Sequence, residues 1–287
     1  MPALRLKCRD KVLDLSRPAI MGIVNLTPDS FSDGGQLYAG SRLSQSKTLV
    51  AIEKMLTDGA DIIDIGGEST RPGAAEVSEQ RELDRVLPIL ELIVSRFDTL
   101  VSVDTSTAAV MREATAKGAH LINDVRGLRG DGALDAVAQS GLPVCLMHMQ
   151  NQPQTMQLEP VYQDVVAEVL TFLAGRKQAC IEAGIAADQI IFDPGFGFGK
   201  TLTHNLSLFN AIDQFIASGQ PVLVGVSRKA MIGQMLGTER SSQRLIGSVT
   251  MAVLAAQRGA AILRVHDVLE TKQAIDIWQA ITVKEQD

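Results

Sequence analysis

Gly59-Ala60-Asp61-Ile62-Ile63-Asp64-Ile65-Gly66-Gly67-Glu68 holds the unit from which the rest of the chain is built. A glycine stops a helix, because past the C-cap it adopts the left-handed conformation without Cβ strain. A short apolar run follows, and polar residues appear where it ends. The joint recurs as Gly118-Ala119 before Leu121-Ile122-Asn123 and as Gly259-Ala260 before Ile262-Leu263-Arg264-Val265. A second joint appears twice, as Ser140-Gly141-Leu142-Pro143-Val144 and as Ser218-Gly219-Gln220-Pro221-Val222.

Working outward, eight apolar runs read as strands: Ala19–Val24, Ile62–Ile65, Leu100–Val103, Leu121–Asn123, Val144–Met147, Ile190–Phe192, Val222–Gly225 and Ile262–Val265. They are continuous rather than alternating, as expected of parallel strands covered on both faces. Helical patterns lie between them. The clearest places Leu83, Val86, Leu87, Leu90, Ile93, Val94 and Phe97 on one stripe. Ser78 is its expected N-cap, Glu79 and Glu82 suit the positive end of the helix dipole, and Pro88 is expected to kink or divide it. Strand and helix alternating eight times predict an α/β fold, a (β/α)8 TIM barrel. The alternative, a doubly wound open sheet, is disfavoured by the regular units and by the lack of Gly-x-Gly-x-x-Gly after the first strand. Residues 4–15 read as a short N-terminal β-hairpin turning at Arg9-Asp10 and closing the barrel bottom. With no linker or low-complexity segment, residues 1–287 read as one domain.

Composition sets the class. Of 287 residues, 46% are hydrophobic but only 4% aromatic, so the core must be aliphatic. The formal net charge of -6, without any Lys/Arg block, makes the chain a poor partner for nucleic acid or an anionic membrane. Cys8, Cys145 and Cys180 are odd in number and lack metal-ligand spacing, so a reduced, cytoplasmic protein is expected. The first residues show no signal-peptide core, and no apolar stretch nears the ~20 residues of a membrane span.

In barrels of this kind the chemistry sits at the C-terminal ends of the strands. Read in order, those ends carry Asn25, Asp64 with Glu68, Asp104, Asn123 with Asp124, His148, Asp193, Ser227-Arg228-Lys229, and Arg264 with His266. Loops of this type are polar in any barrel, so one such residue says little. Their segregation says more: Asp, Asn and Glu follow the second to sixth strands, and Ser, Arg, Lys and His follow the last two. Arg264 and His266, two apart on an extended segment, point to one face roughly 6–7 Å apart. Ser227 and Lys229 share that relation if their strand stays extended. This end suits an anion, since the last two strands of such barrels often bind phosphate. The plain alternative is that Arg264 pairs with a buried acid. The acidic end suits a flat nitrogen heterocycle, because a carboxylate accepts two parallel N–H donors. Asp193 is the best placed, with Asn123 and Asp104 beside it; a metal held by these carboxylates is the rival. Pro194-Gly195-Phe196-Gly197-Phe198-Gly199-Lys200-Thr201 fails as a phosphate-binding P-loop, because Pro194 stands where the first glycine is needed. Its glycines are expected to let backbone approach a ligand, with Phe198 as an apolar wall.

Asn-Leu-Thr-Pro-Asp-Ser-Phe-Ser-Asp-Gly-Gly at 25–35 and Asp-Ile-Gly-Gly-Glu-Ser-Thr-Arg-Pro-Gly at 64–73 resemble signatures of the dihydropteroate synthases. So do Ser-Val-Asp-Thr at 102–105, Ile-Asn-Asp-Val at 122–125, Asp-Pro-Gly-Phe-Gly-Phe-Gly-Lys at 193–200, Gly-Val-Ser-Arg-Lys at 225–229 and Arg-Val-His-Asp at 264–267. The resemblance implies a Mg²⁺-dependent, usually homodimeric transferase of folate synthesis. Such an enzyme condenses 6-hydroxymethyl-7,8-dihydropterin pyrophosphate with p-aminobenzoate and is the target of sulfonamides. By the same match, Asp104, Asn123, Met147, Asp193, Gly225 and Lys229 hold the pterin. Asn25, Thr70, Arg71, Arg264 and His266 handle the pyrophosphate, with Mg²⁺ at Asn25. Phe31, Thr70, Arg71, Pro72, Gly197, Phe198, Ser227, Arg228 and Lys229 surround the aminobenzoate, Phe31 and Pro72 lying on two loops that close over it. Asn25, Asp104, Lys229 and Arg264 are the residues implied in catalysis.

The chemistry agrees with what the motifs lack. An aryl amine is already a neutral nucleophile, so no Ser-His-Asp or Cys-His arrangement is required. The demanding step is expulsion of pyrophosphate from a methylene carbon, which metal and cations can stabilise; an SN1-like displacement is expected. Two rivals stay open. A corrinoid-dependent methyltransferase would share the acidic pterin end but have no use for Arg264, His266 and the 25–35 segment together. A silent pterin-binding paralogue would not need them either.

Overall fold

The computed structural model describes residues 5–27, 38–39, 42–69, 73–74, 77–151, 156 and 159–282. The chain begins with a hairpin of β1 (Arg5–Cys8) and β2 (Lys11–Asp14), turning at Arg9-Asp10 as expected. After β3 (Ala19–Asn25) comes a two-residue antiparallel pair, β4 (Tyr38–Ala39) and β5 (Arg42–Leu43). There follow α1 (Gln45–Thr57), β6 (Ile62–Gly66), α2 (Glu79–Arg96), β7 (Leu100–Asp104), α3 (Ala108–Ala116), β8 (Leu121–Asp124), α4 (Ala133–Ser140) and β9 (Val144–Met147). The second half is α5 (Val165–Glu182), β10 (Ile190–Asp193), α6 (Leu202–Asn210), α7 (Ile212–Ala217), β11 (Leu223–Val224), α8 (Ala230–Leu236), α9 (Leu245–Gln257), β12 (Ile262–Val265) and α10 (Val268–Thr282).

The parallel sheet runs β10-β9-β8-β7-β6-β3-β12-β11. Its two ends meet through a parallel bridge between Phe192 and Val222, and the Phe192 amide donates to the Pro221 carbonyl at 2.9 Å. The sheet thereby closes into the expected barrel. The helix-stopping glycines behave as read: Gly59, Gly118 and Gly259 have φ of 100°, 102° and 95°.

Outward-facing Ile63, Ile65, Val101 and Val103 pack on Ile52, Val86, Ile89, Leu90 and Val110 of the helices. Inward positions change character halfway up. The lower set, Met21, Ile62, Leu100, Leu121, Cys145, Ile191, Leu223 and Ile262, packs against Leu6, Cys8, Leu13 and Leu15 of the hairpin. The hairpin therefore plugs the bottom, stapled by a Lys11–Asp98 ion pair and by Arg9 donating to the Thr115 carbonyl at 2.8 Å. Two residues further along each strand, the side-chain period of two brings in Ile23, Asp64, Ser102, Asn123, Met147, Asp193, Gly225 and Arg264.

Three expectations need correction. Of the kink or division expected at Pro88, division does not occur, since α2 runs unbroken from Glu79 to Arg96. It removes one rung on a partly exposed face, where water can serve the freed Asp84 carbonyl. Ser78 is the N-cap of α2 by position, but its hydroxyl makes no capping bond. The seventh barrel strand is Leu223–Val224 rather than Val222–Gly225, since Val222 is taken by the closing bridge and Gly225 has left the ladder.

Leu6 is 1% exposed within the plug. Leu6→Ala should cost about 2–5 kcal/mol of stability in urea denaturation, the usual price of a buried leucine cavity. Ligand affinity at the opposite mouth should not change.

Candidate active site

A cavity of about 770 Å³ opens at the C-terminal ends of the strands. Asn25, Asp104, Gly225, Ser227, Arg228, Lys229, Arg264, His266, Gly197 and Phe198 line it, together with Thr27, Glu68 and Lys200. Asn123, Met147 and Asp193 do not line it; they lie at the ends of their strands, 3%, 3% and 6% exposed. Phe31, Thr70, Arg71 and Pro72 lie outside the described residues.

Arg264 reaches from β12 across β3 to two carboxylates. Its Nε donates to Asp64 Oδ2 at 2.7 Å, and an Nη donates to Asp104 Oδ2 at 2.8 Å. Burial alone would lower its pKa, but Asp64 and Asp104 hold the guanidinium charged, well above its ordinary value. Asp64 is fully buried, and its Oδ2 also lies 3.5 Å from the Asn123 amide nitrogen. Burial is the main cause that raises the Asp104 carboxyl to about 7, with Arg264 opposing the rise and Asp64 adding to it. The plain alternative for Arg264 thus holds: it is paired with buried Asp64 and part-buried Asp104, and it also faces the cavity.

Asp193 and Lys229 form a second group of charges. Asp193 accepts from the Gly195 amide at 2.7 Å. Burial raises its pKa, while Lys229 and that amide lower it. Burial also pushes Lys229 down to about 8, with Asp193 pulling the other way. The Lys229 ammonium donates to the Phe196 carbonyl and sits 4.4 Å from the centre of the Phe198 ring. Phe198 is a cavity wall, as expected, packed against Met147, Met149, Met156 and Val125.

Ser227 and Lys229 do not share an extended strand. Arg228 between them has φ 58°, a left-handed turn residue, so they reach the cavity from a turn. The Ser227 hydroxyl accepts from the His266 amide at 3.2 Å and lies 3.1 Å from His266 Nδ1. The Arg228 guanidinium is held by Asp267.

Several polar residues take roles that sequence reading missed. Asp64 is the partner of Arg264; counting two positions inward from Ile62 would have shown it facing the barrel. Glu82, read as a dipole-facing acid, is buried and accepts from the Thr105 and Thr107 hydroxyls at 2.5 and 2.6 Å. Asp124 accepts from the Arg126 and Leu128 amides at 2.8 and 2.7 Å and organises its own loop. Lys200, 4% exposed, has its ammonium 3.0 Å from Nδ1 of His148. Burial, and then Lys200, pushes His148 down to about 2.

Residues 21–266 match the family described as pterin binding enzymes. The dihydropteroate synthase of Haemophilus influenzae is 53% identical over 277 residues, covering 96% of this chain and 98% of its own length. A solved Yersinia pestis dihydropteroate synthase, in complex with a sulfonamide drug, is similar at TM-score 0.93 and 52% identity, covering 97% of this chain and 99% of that one. One from Xanthomonas albilineans, solved with 4-aminobenzoic acid, gives TM-score 0.90 and 48% identity, covering 98% of both chains. The chain belongs to the pterin-binding enzymes and, within them, to the dihydropteroate synthases, which are transferases.

Arg264→Leu leaves Asp64 buried without its cation and should cost about 3–5 kcal/mol of stability. Adding Asp64→Asn to that variant should recover most of the loss. A double-mutant cycle in urea checks this, and additive effects would deny the coupling. His148 has its own signature in pH. Its folded pKa lies below the unfolded value near 6.5, so below that pH the unfolded chain binds a proton that the folded chain refuses. Stability should be full above 6.5 and fall as the pH drops towards 2, by up to ~1.4 kcal/mol per pH unit. His148→Asn should flatten that acid limb in denaturation measured from pH 7 to 4.

Proposed function

We propose that the chain joins the methylene of 6-hydroxymethyl-7,8-dihydropterin pyrophosphate to the amine of p-aminobenzoate, giving 7,8-dihydropteroate and pyrophosphate. One observation carries the reading: one cavity brings Arg264 and His266 together with Lys229 and the aromatic wall of Phe198. Family membership supports it.

In this reading the pterin enters below the present cavity floor, against Asp193, Asn123 and Met147, with Lys229 and Gly225 at its edge and Asp104 on its far side. Arg264, His266 and Asn25, with Thr70 and Arg71, receive the pyrophosphate. Phe198, Gly197, Ser227, Arg228 and Lys229, with Phe31, Thr70, Arg71 and Pro72, enclose the aminobenzoate. The carbon–oxygen bond breaks first and its electron pair leaves on pyrophosphate. The electron-rich pterin carries the positive charge, and the negative carboxylates around it favour that charge. The amine lone pair then forms the carbon–nitrogen bond, and the resulting anilinium, a strong acid, loses its proton without a dedicated base. Asn25 lines the cavity, and an amide oxygen is a hard ligand. That suits Mg²⁺, which takes few protein ligands and fills its shell from phosphate and water. When bound, the ion would neutralise charge on the departing pyrophosphate.

The whole chain is read as one domain, working as a homodimer in the cytoplasm. Ile246, Leu254, Leu269 and Ile277 leave exposed apolar side chains on α9 and α10, which pack side by side and suit a second copy. Free, buried Cys8, Cys145 and Cys180 suit a reducing compartment.

Mixed with both substrates and Mg²⁺, the protein should form dihydropteroate and release pyrophosphate. Asp193→Ala should abolish pterin binding in calorimetry, since each bond to the lost carboxylate is worth ~1.5–3 kcal/mol. Unchanged affinity in a folded variant would move the pterin elsewhere. Methyl transfer to a corrinoid protein, with no affinity for pyrophosphate, would replace the reading altogether.

A further inference from the structure

The glycine run that fails as a P-loop has another use for its lysine. Gly195, Gly197 and Gly199 have φ of 72°, 79° and 62°, so the loop reverses at every second residue. It curls around Lys200. The ammonium donates to the Gly195 carbonyl at 2.8 Å and the Phe198 carbonyl at 3.0 Å. Nδ1 of His148 lies 3.0 Å away and the His148 carbonyl 3.4 Å. Three N–H donors thus meet four acceptors, and none is left over for a phosphate. The loop has no slack against β9: a Cβ on Gly195 would lie 1.9 Å from the His148 carbonyl oxygen. From outside, the Gly197 amide donates to Asn205 Oδ1 at 2.7 Å, and the Tyr162 hydroxyl donates to the Gly199 carbonyl at 2.9 Å.

We infer that Lys200 is a positioning residue for the acceptor amine. Its ammonium is the hub that fixes Gly197 and Phe198 as the wall on which the aminobenzoate ring lies. Through Phe198 it also sets the platform 4.4 Å from the Lys229 ammonium. Burying a lysine at 4% exposure is costly unless its charge is fully solvated by protein dipoles. The carbonyls offset that cost in part, since burial still lowers the Lys200 pKa to about 7, and in return the ammonium holds together carbonyls that would otherwise repel. The inference rests on the proposed placement of the acceptor against Phe198.

Lys200→Met keeps the stem and removes every donor. Its KM for p-aminobenzoate should rise about tenfold, equivalent to ~1.4 kcal/mol, with the affinity for a pterin analogue within about twofold of the parent. Asn205→Ala loosens the same loop from its outer side and should move acceptor KM the same way. It decides the matter alone if Lys200→Met fails to fold by circular dichroism. Equal losses for both substrates, or an unchanged acceptor KM in the folded variants, would overturn the positioning role. Phe198→Ala separates the two readings: an unchanged acceptor KM there would overturn the acceptor placement itself, and this inference with it.

Discussion

A guanidinium held inside a barrel by two carboxylates is the constraint around which the molecule is arranged. The Arg264 side chain is only 20% exposed, so leaving it unpaired would be costly, and pairing it is tolerable only when the geometry is good. Asp64 and Asp104 meet it at 2.7 and 2.8 Å from strands on the far side of β3. The charges are confined to the upper half of the barrel, so the lower half must be apolar. The hairpin seals that half with Leu6, Leu13 and Leu15. The plug and the active site are in this sense one design: a dry floor keeps the electrostatics above it strong.

Most of the architecture was legible because it rests on local rules. Continuous apolar runs gave the strands, and glycines that need a left-handed backbone gave the helix ends, within a residue or two. Errors arose where a residue's role depends on distant partners. The Arg264–Asp64 pairing spans 200 positions and follows from barrel closure, which no local pattern encodes. Glu82 looked like an ordinary first-turn acid until Thr105 and Thr107 were folded against it. Pro88 is tolerated because its missing rung faces outward. Ser227 and Lys229 reach the cavity through a left-handed turn at Arg228, a residue type that rarely advertises such a conformation.

The site follows the same division. Strand-end counting pointed to Asn25, Asp104, Arg264 and His266, and all four line the cavity; Lys229 lines it too, but from a turn rather than by the period of two. Such counting could not separate residues that face a ligand from residues that hold others in place. Arg126 and Glu68 bind each other at 3.0 and 3.1 Å, and Asp124 accepts from amides of its own loop, partners that strand-end counting does not reveal. Lys200 sits beside a motif that usually signals phosphate, and only the direction of its ammonium shows that it faces inward.

The buried ion pair has a consequence for how a substrate with two unlike ends would bind. On the proposed reading, the pterin needs Asp104 and the pyrophosphate needs Arg264, but these two groups hold each other. A pterin lacking phosphates must compete with the guanidinium for the carboxylate, and pyrophosphate alone must draw the guanidinium from its acids. A substrate carrying both ends offers each partner a replacement at the same time. The cost of loosening one ion pair is then met once by the whole molecule, whereas each fragment would meet it alone. On that reading, binding energy from the pterin would go into presenting Arg264 to the leaving group, where negative charge would grow as the carbon–oxygen bond breaks.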